Sequence, residues 1–232
     1  MKKITFFFLI LIFVIYSVFS DEFFFPTAVG IIKDTANLNS NGRIEGYERM
    51  TVIDVRESGG EITVVYTIQL LDRNGRPIRN SSEREYSLII SNGVLIYPVS
   101  NIMDPFFAAK NLNYTMTAGN FLIPSTLALG NKIEDTWMKL VVSVPLIGSV
   151  TADVTMTDMV CISVENVTVP AGTFMAYKIT QTTTTKTTGW GRPLIVNTGE
   201  TWYVKGIGVV KNITYDSRGR AESSSELHEL RR

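Results

Sequence analysis

Cysteine and histidine are almost missing from this chain of 232 residues, which holds one of each, Cys161 and His228. A single thiol excludes an intramolecular disulfide. One His with one Cys also excludes the usual zinc ligand sets, so no metal is expected and no other cofactor either. Cys161 lies in the apolar run Met159-Val160-Cys161-Ile162, without the cationic neighbours that lower a thiol pKa. It reads as a small buried hydrophobe. His228, close to the C-terminus, reads as an exposed residue of a last strand rather than the base of a catalytic triad.

Other signatures are lacking too. There is no phosphate-binding G-x-x-x-x-G-K-[ST] loop, and Gly206-x-Gly208 follows no βα unit. Glu134-Asp135 and Asp153/Asp158 offer carboxylates, yet no spacing marks a pair of the kind glycoside hydrolysis needs. No catalytic residue is assigned, and the chain is expected not to be an enzyme; an unrecognised hydrolase is the alternative.

Neither sign of charge dominates, with 22 Lys plus Arg against 22 Asp plus Glu. A nucleic-acid partner is therefore not expected, since it calls for a basic excess. Long apolar runs are confined to the N-terminus. Lys2 and Lys3 precede the uncharged stretch Ile4–Val18, and Val18-Phe19-Ser20 sets small residues at the cleavage positions before Asp21. That layout predicts a signal peptide over residues 1–20, the run being shorter than the roughly 20 residues that span a bilayer. The remainder, 21–232, is expected to be one periplasmic or secreted domain, peripheral to a membrane at most.

What is abundant is strand signal. Ile62, Val64, Tyr66, Ile68 and Leu70 alternate with Thr63, Thr67 and Gln69, the period of a half-buried strand. Similar runs occur at 49–55, 84–90, 94–98, 137–144, 150–156, 160–167, 173–185, 202–204, 209–215 and 221–230. Between them stand turn residues such as Ser58-Gly59-Gly60, Asp72-Arg73-Asn74-Gly75, Ser91-Asn92-Gly93 and Ser217-Arg218-Gly219. The fold class is all-β. One short linker helix is predicted over Asp104–Lys110, with Asp104 as N-cap and Pro105 at the first helical position.

Pro26–Gly30 has an echo at Pro124–Gly130, and Met50-Thr51-Val52 has one at Met156-Thr157-Asp158. Two related halves, 21–100 and 121–230, are one reading of this order; chance similarity among Thr- and Val-rich strands is the other.

Three segments together carry a family resemblance: Val167–Ile179 with its Val169-Pro170-Ala171-Gly172-Thr173-Phe174, Trp202–Lys211 with Gly206-Ile207-Gly208, and Pro26–Gly30. The chain resembles the TapB-like bacterial envelope domain of unknown function. That likeness implies a strongly curved antiparallel sheet, a half-barrel or β-roll like those of lipoprotein carriers, and it brings no catalytic residues. The stretch Gly30-Ile31-Ile32-Lys33-Asp34 departs from the pattern by lacking an aromatic-rich strand, which puts the pairing of the first strand in question.

Loop aromatics suggest where a ligand would sit. Phe106 and Phe107 in the linker, and Trp190 in the loop Gly189–Ile195, are candidates to line the mouth of the curved sheet. Plugging the core is the alternative role for the linker pair. The functional expectation is a non-enzymatic exported envelope protein that binds a hydrophobic or lipid-like molecule. A structural protein that docks an envelope partner along a strand edge is the alternative.

Overall fold

Short turns with glycine at left-handed positions set the strand pairs. The computed structural model describes residues 22–79, 82–110, 112–144, 148–189 and 193–232; the predicted signal peptide and Trp190 lie outside them. Three turns share one pattern, Asn39-x-x-Gly42-Arg43, Asp72-x-x-Gly75-Arg76 and Asp216-x-x-Gly219-Arg220. In each, the first side chain accepts the backbone N–H two and four residues on, at 2.8–3.1 Å. The glycine takes φ of +71°, +75° or +74°, which L-residues rarely adopt.

The chain runs β1 (Ile32–Asn39), β2 (Ile44–Ser58), β3 (Glu61–Asp72), β4 (Arg84–Ser91), β5 (Val94–Pro98) and α1 (Ser100–Ala109). It continues through β6 (Asn113–Ala118), β7 (Asn120–Pro124), β8 (Thr136–Val144), β9 (Gly148–Val169) and β10 (Gly172–Thr188) to β11 (Leu194–Val204), β12 (Gly208–Tyr215) and β13 (Ala221–Arg231). Among the described residues these form one antiparallel sheet, ordered β6-β8-β9-β10-β11-β12-β13-β1-β2-β3-β4-β5-β7. The all-β expectation holds, and the sheet rolls into a nearly closed barrel.

Closure occurs at Gly119. The two end strands, β6 and β7, are consecutive in the chain and joined by this one residue. Its N–H donates to Trp137 O on β8 at 2.9 Å, and its carbonyl accepts from Val99 N beyond β5 at 3.1 Å. A Cβ here would lie 3.0 Å from Thr136 Oγ1.

Bulges supply the bend. Ile53 in β2 and Ile162 in β9 are extra residues with no partner in the facing strand, which increases local twist. Both are more than a third exposed, as unpaired bulge residues of a rolled sheet can be. Each follows a residue held the same way. Gly30 N donates to Val52 O and Val52 N to Ile31 O; Gly130 N donates to Cys161 O and Cys161 N to Asn131 O. Met159, rather than Met156, thus stands two residues before its bulge-flanking Cys161 as Met50 stands before Val52.

Three sequence expectations change. The segments 150–156 and 160–167 are one strand of 22 residues, β9, with irregular pairing around Asp158, whose φ is +55°, besides the bulge at Ile162. The stretch after Gly30 does form a strand, β1, between β13 and β2. The helix begins at Ser100, so Pro105 is internal and Asp104 is no cap. Tertiary contacts decide this: Asp104 accepts from Tyr86 Oη at 2.7 Å and Arg84 Nη1 at 3.1 Å, and also from Tyr114 Oη.

Candidate functional site

A barrel of alternating strands points every second side chain inward. Here the inward residues leave a cavity of about 380 Å³. Its wall has two characters. Strands β2, β3, β5 and β7 with α1 contribute Met50, Ile68, Leu95, Phe121, Ile123 and Phe106. Strands β1, β10, β11 and β13 contribute Thr35, Asn37, Gln181, Thr183, Thr201 and Ser225.

Aromatic rings from before β1 complete the lining. Phe24 packs edge-on against Tyr177 at 5.1 Å between centroids, and Phe25 against Tyr66 at 5.1 Å. The segment is held by Gly206 N donating to Phe23 O at 2.7 Å. Gly208, with φ of +89°, leaves room for Phe24 O, which would lie 3.1 Å from a Cβ. Gly206 thus lies in the turn between β11 and β12 and Gly208 opens β12, and the N-terminal aromatics dock beneath them.

Among the described residues, a lysine and a glutamate line the cavity. Lys33 is 7% exposed; its Nζ donates to Ile207 O at 2.6 Å and Val209 O at 3.3 Å. Burial lowers its pKa to about 8, against the opposing pull of Glu48. Glu48 lies on β2 opposite Thr35, diagonal to Lys33. Burial raises its pKa, and the Lys33 charge only partly offsets this. The Glu48 carboxylate faces the cavity with no hydrogen bond or ion pair to any described residue.

Phenols surround this pair. Tyr66 Oη accepts from Asn101 Nδ2 at 3.0 Å, and Asn101 also donates to Ser87 O. Burial pushes the Tyr66 and Tyr203 hydroxyls up to about 12, and Tyr97 well above its ordinary value. They stay protonated at neutral pH.

Of the residues named from sequence, Phe106 lines the cavity, whereas Phe107 turns to Tyr114 at 5.4 Å. His228 is exposed and packs edge-on against Tyr47. Cys161 is fully buried, and burial raises its pKa. Glu134, Asp135, Asp153 and Asp158 are all exposed, and none lines the cavity. Sequence reasoning missed Lys33 and Glu48. A charged residue in a strand reads as solvent-facing, and only the roll shows which side is inside.

Among solved structures, the chain is similar to a protein from Bacteroides fragilis NCTC 9343 described as exported and as having a YmcC-like fold. The two share 19% identity at a TM-score of 0.74, over 90% of this chain and 99% of that one. It is also similar to a protein from Parabacteroides distasonis ATCC 8503 described as a lipoprotein, at 19% identity and a TM-score of 0.75, over 90% and 98%. These likenesses establish the YmcC-like fold. No curated protein matches the chain in sequence. A family profile described as DUF3108-like matches residues 30–227, and the chain belongs to that family.

Proposed function

We propose that the protein is a non-enzymatic exported binding protein that holds a hydrophobic or lipid-like molecule inside its rolled sheet. The carrying observation is the cavity, whose volume of about 380 Å³ lies in the range of small-molecule sites. Its aliphatic and aromatic wall favours an apolar ligand. Export is supported by the Lys2-Lys3, Ile4–Val18 and Val18-Phe19-Ser20 layout, and by descriptions of the two similar proteins as exported and as a lipoprotein. The TapB-like resemblance points the same way, towards a lipoprotein-carrier-like curve. The non-enzymatic reading draws on the placement of His228 and Cys161, neither of which lines the cavity. Docking along a strand edge would fall to the end strands β6 and β7, each of which pairs with one neighbour among the described residues.

Native mass spectrometry of protein purified from its own envelope tests the reading. A co-purifying apolar adduct, displaced by a fluorescent apolar probe, is expected. Bare protein that binds no such probe would overturn it.

A further inference from the structure

The interior is divided, and the division specifies a ligand more narrowly than volume does. This inference rests on the reading of the cavity as a binding site. The wall from β2, β3, β5 and β7 carries Met50, Ile68, Leu95 and Phe121 beside Glu48; the wall from β1, β10 and β13 carries Thr35, Gln181, Thr183 and Ser225. An apolar ligand alone would leave the second wall's hydroxyl and amide groups facing hydrocarbon, which is costly. Glu48 sharpens the requirement. Ionised, it has only acceptor sites, and no described residue donates to it. It calls for hydrogen-bond donors. Charge balance narrows the head group further. Lys33 and Glu48, the lysine and the carboxylate among the described lining residues, sum to zero charge, so a charged ligand would bring net charge into the cavity.

We propose that the cavity binds a neutral amphiphile with a polyhydroxylated head, its tail against Leu95 and Phe121 and its head hydroxyls donating to Glu48. Thr35, Gln181 and Thr183 then exchange hydrogen bonds with the remaining hydroxyls. The unpartnered carboxylate follows from this role. It costs the empty protein stability and gains donors when the head arrives, as groups held for function do.

Calorimetric titration of the exported protein, stripped of co-purifying lipid, tests this with three eight-carbon probes below their micellar concentrations: octyl glucoside, octanoate and octylammonium. Octyl glucoside is expected to bind roughly tenfold tighter than either charged probe. Glu48→Gln should weaken octyl glucoside by roughly tenfold or more while raising the urea midpoint of the empty protein, a pairing that a merely structural residue would not give. Gln181→Met should weaken it several-fold and serves if Glu48→Gln fails to fold. Equal or tighter binding of octanoate or octylammonium would overturn the head assignment and leave the carrier reading standing. So would an unchanged octyl glucoside affinity in whichever variant folds. If none of the three probes binds, both readings fall.

Discussion

Among the described residues, two apolar clusters stabilise the protein, and they are built to different ends. The larger contains Met50, Tyr66, Ile68, Leu95, Phe121 and Ile123, all of which line the cavity. The smaller gathers Val167, Val169, Ala176, Trp202, Val204, Ile207, Val210 and Leu227, none of which lines it. The smaller cluster forms where the β9–β10 turn folds onto β13, with Ala171 N donating to Leu227 O at 3.2 Å. Trp202 anchors it: its Nε1 donates to Glu165 at 2.7 Å, and Lys178 and Lys211 lie over its ring at 4.8 and 5.4 Å. Part of the larger cluster instead lines open volume that also holds Lys33 and Glu48, two opposite charges that do not bond to each other. Close packing in one region lets the other stay hollow without losing the fold.

Matched truncations test that contrast most strongly. Leu227→Ala should lower the unfolding free energy by about 4 kcal/mol, because close-packed neighbours relax poorly into a new void. Leu95→Ala, on a wall that already borders space, should cost about 2 kcal/mol. Urea unfolding of both variants measures the difference, and equal losses would break the comparison.

The helix that covers the hollow cluster comes next. Phe106→Ala should cost about 2 kcal/mol, less than a fully buried Phe, and should speed release of an apolar probe followed by fluorescence. Phe107→Ala should cost about 1 kcal/mol through its contact with Tyr114 and leave release unchanged. A Phe106→Ala variant that fails to fold would make that ring a plug rather than a cover.

A smaller effect distinguishes the hollow region by pH. The folded-state pKa of Lys33, about 8, lies below its ordinary 10.5. Between these values the unfolded chain binds more protons, so stability rises with pH. Tyr66 and Tyr203, at about 12 when folded, ionise first in the unfolded chain and offset the climb by only a few tenths of a kcal/mol near pH 9.5. Stability should climb by about 1–2 kcal/mol between pH 8 and 9.5, and Lys33→Met should flatten the climb. A wild-type curve that already falls over this range would contradict the buried, charged state of Lys33.

The smallest expected effect is at Cys161, in the larger cluster but away from the cavity. Cys161→Ser should cost about 1 kcal/mol through the buried hydroxyl. Its thiol should resist labelling until the protein unfolds.

Much of the fold could be read from local chemistry. The alternation of Ile62 to Leu70 is β3, and the Asn92-Gly93 turn pairs β4 with β5. The Asn/Asp-x-x-Gly-Arg turns were equally legible, although the one at Asn39 went unrecognised along with β1. What misled was always non-local. Asp104 carries an N-cap signature but spends its oxygens on Arg84, Tyr86 and Tyr114, residues of other elements. Asp158 looks like a strand end yet sits inside β9, because β10 pairs on both sides of it.

Composition and spacing alone determined the all-β class, most strand positions, the buried thiol and the exposed histidine. These depend on side-chain period and turn geometry over a few residues, which the chain displays directly. The rolled sheet, its closure at Gly119 and the inward placement of Lys33 and Glu48 were decided by tertiary structure. A strand's period of two separates its faces without saying which is inside; that comes only when β13 pairs with β1 and the sheet curls around what it encloses.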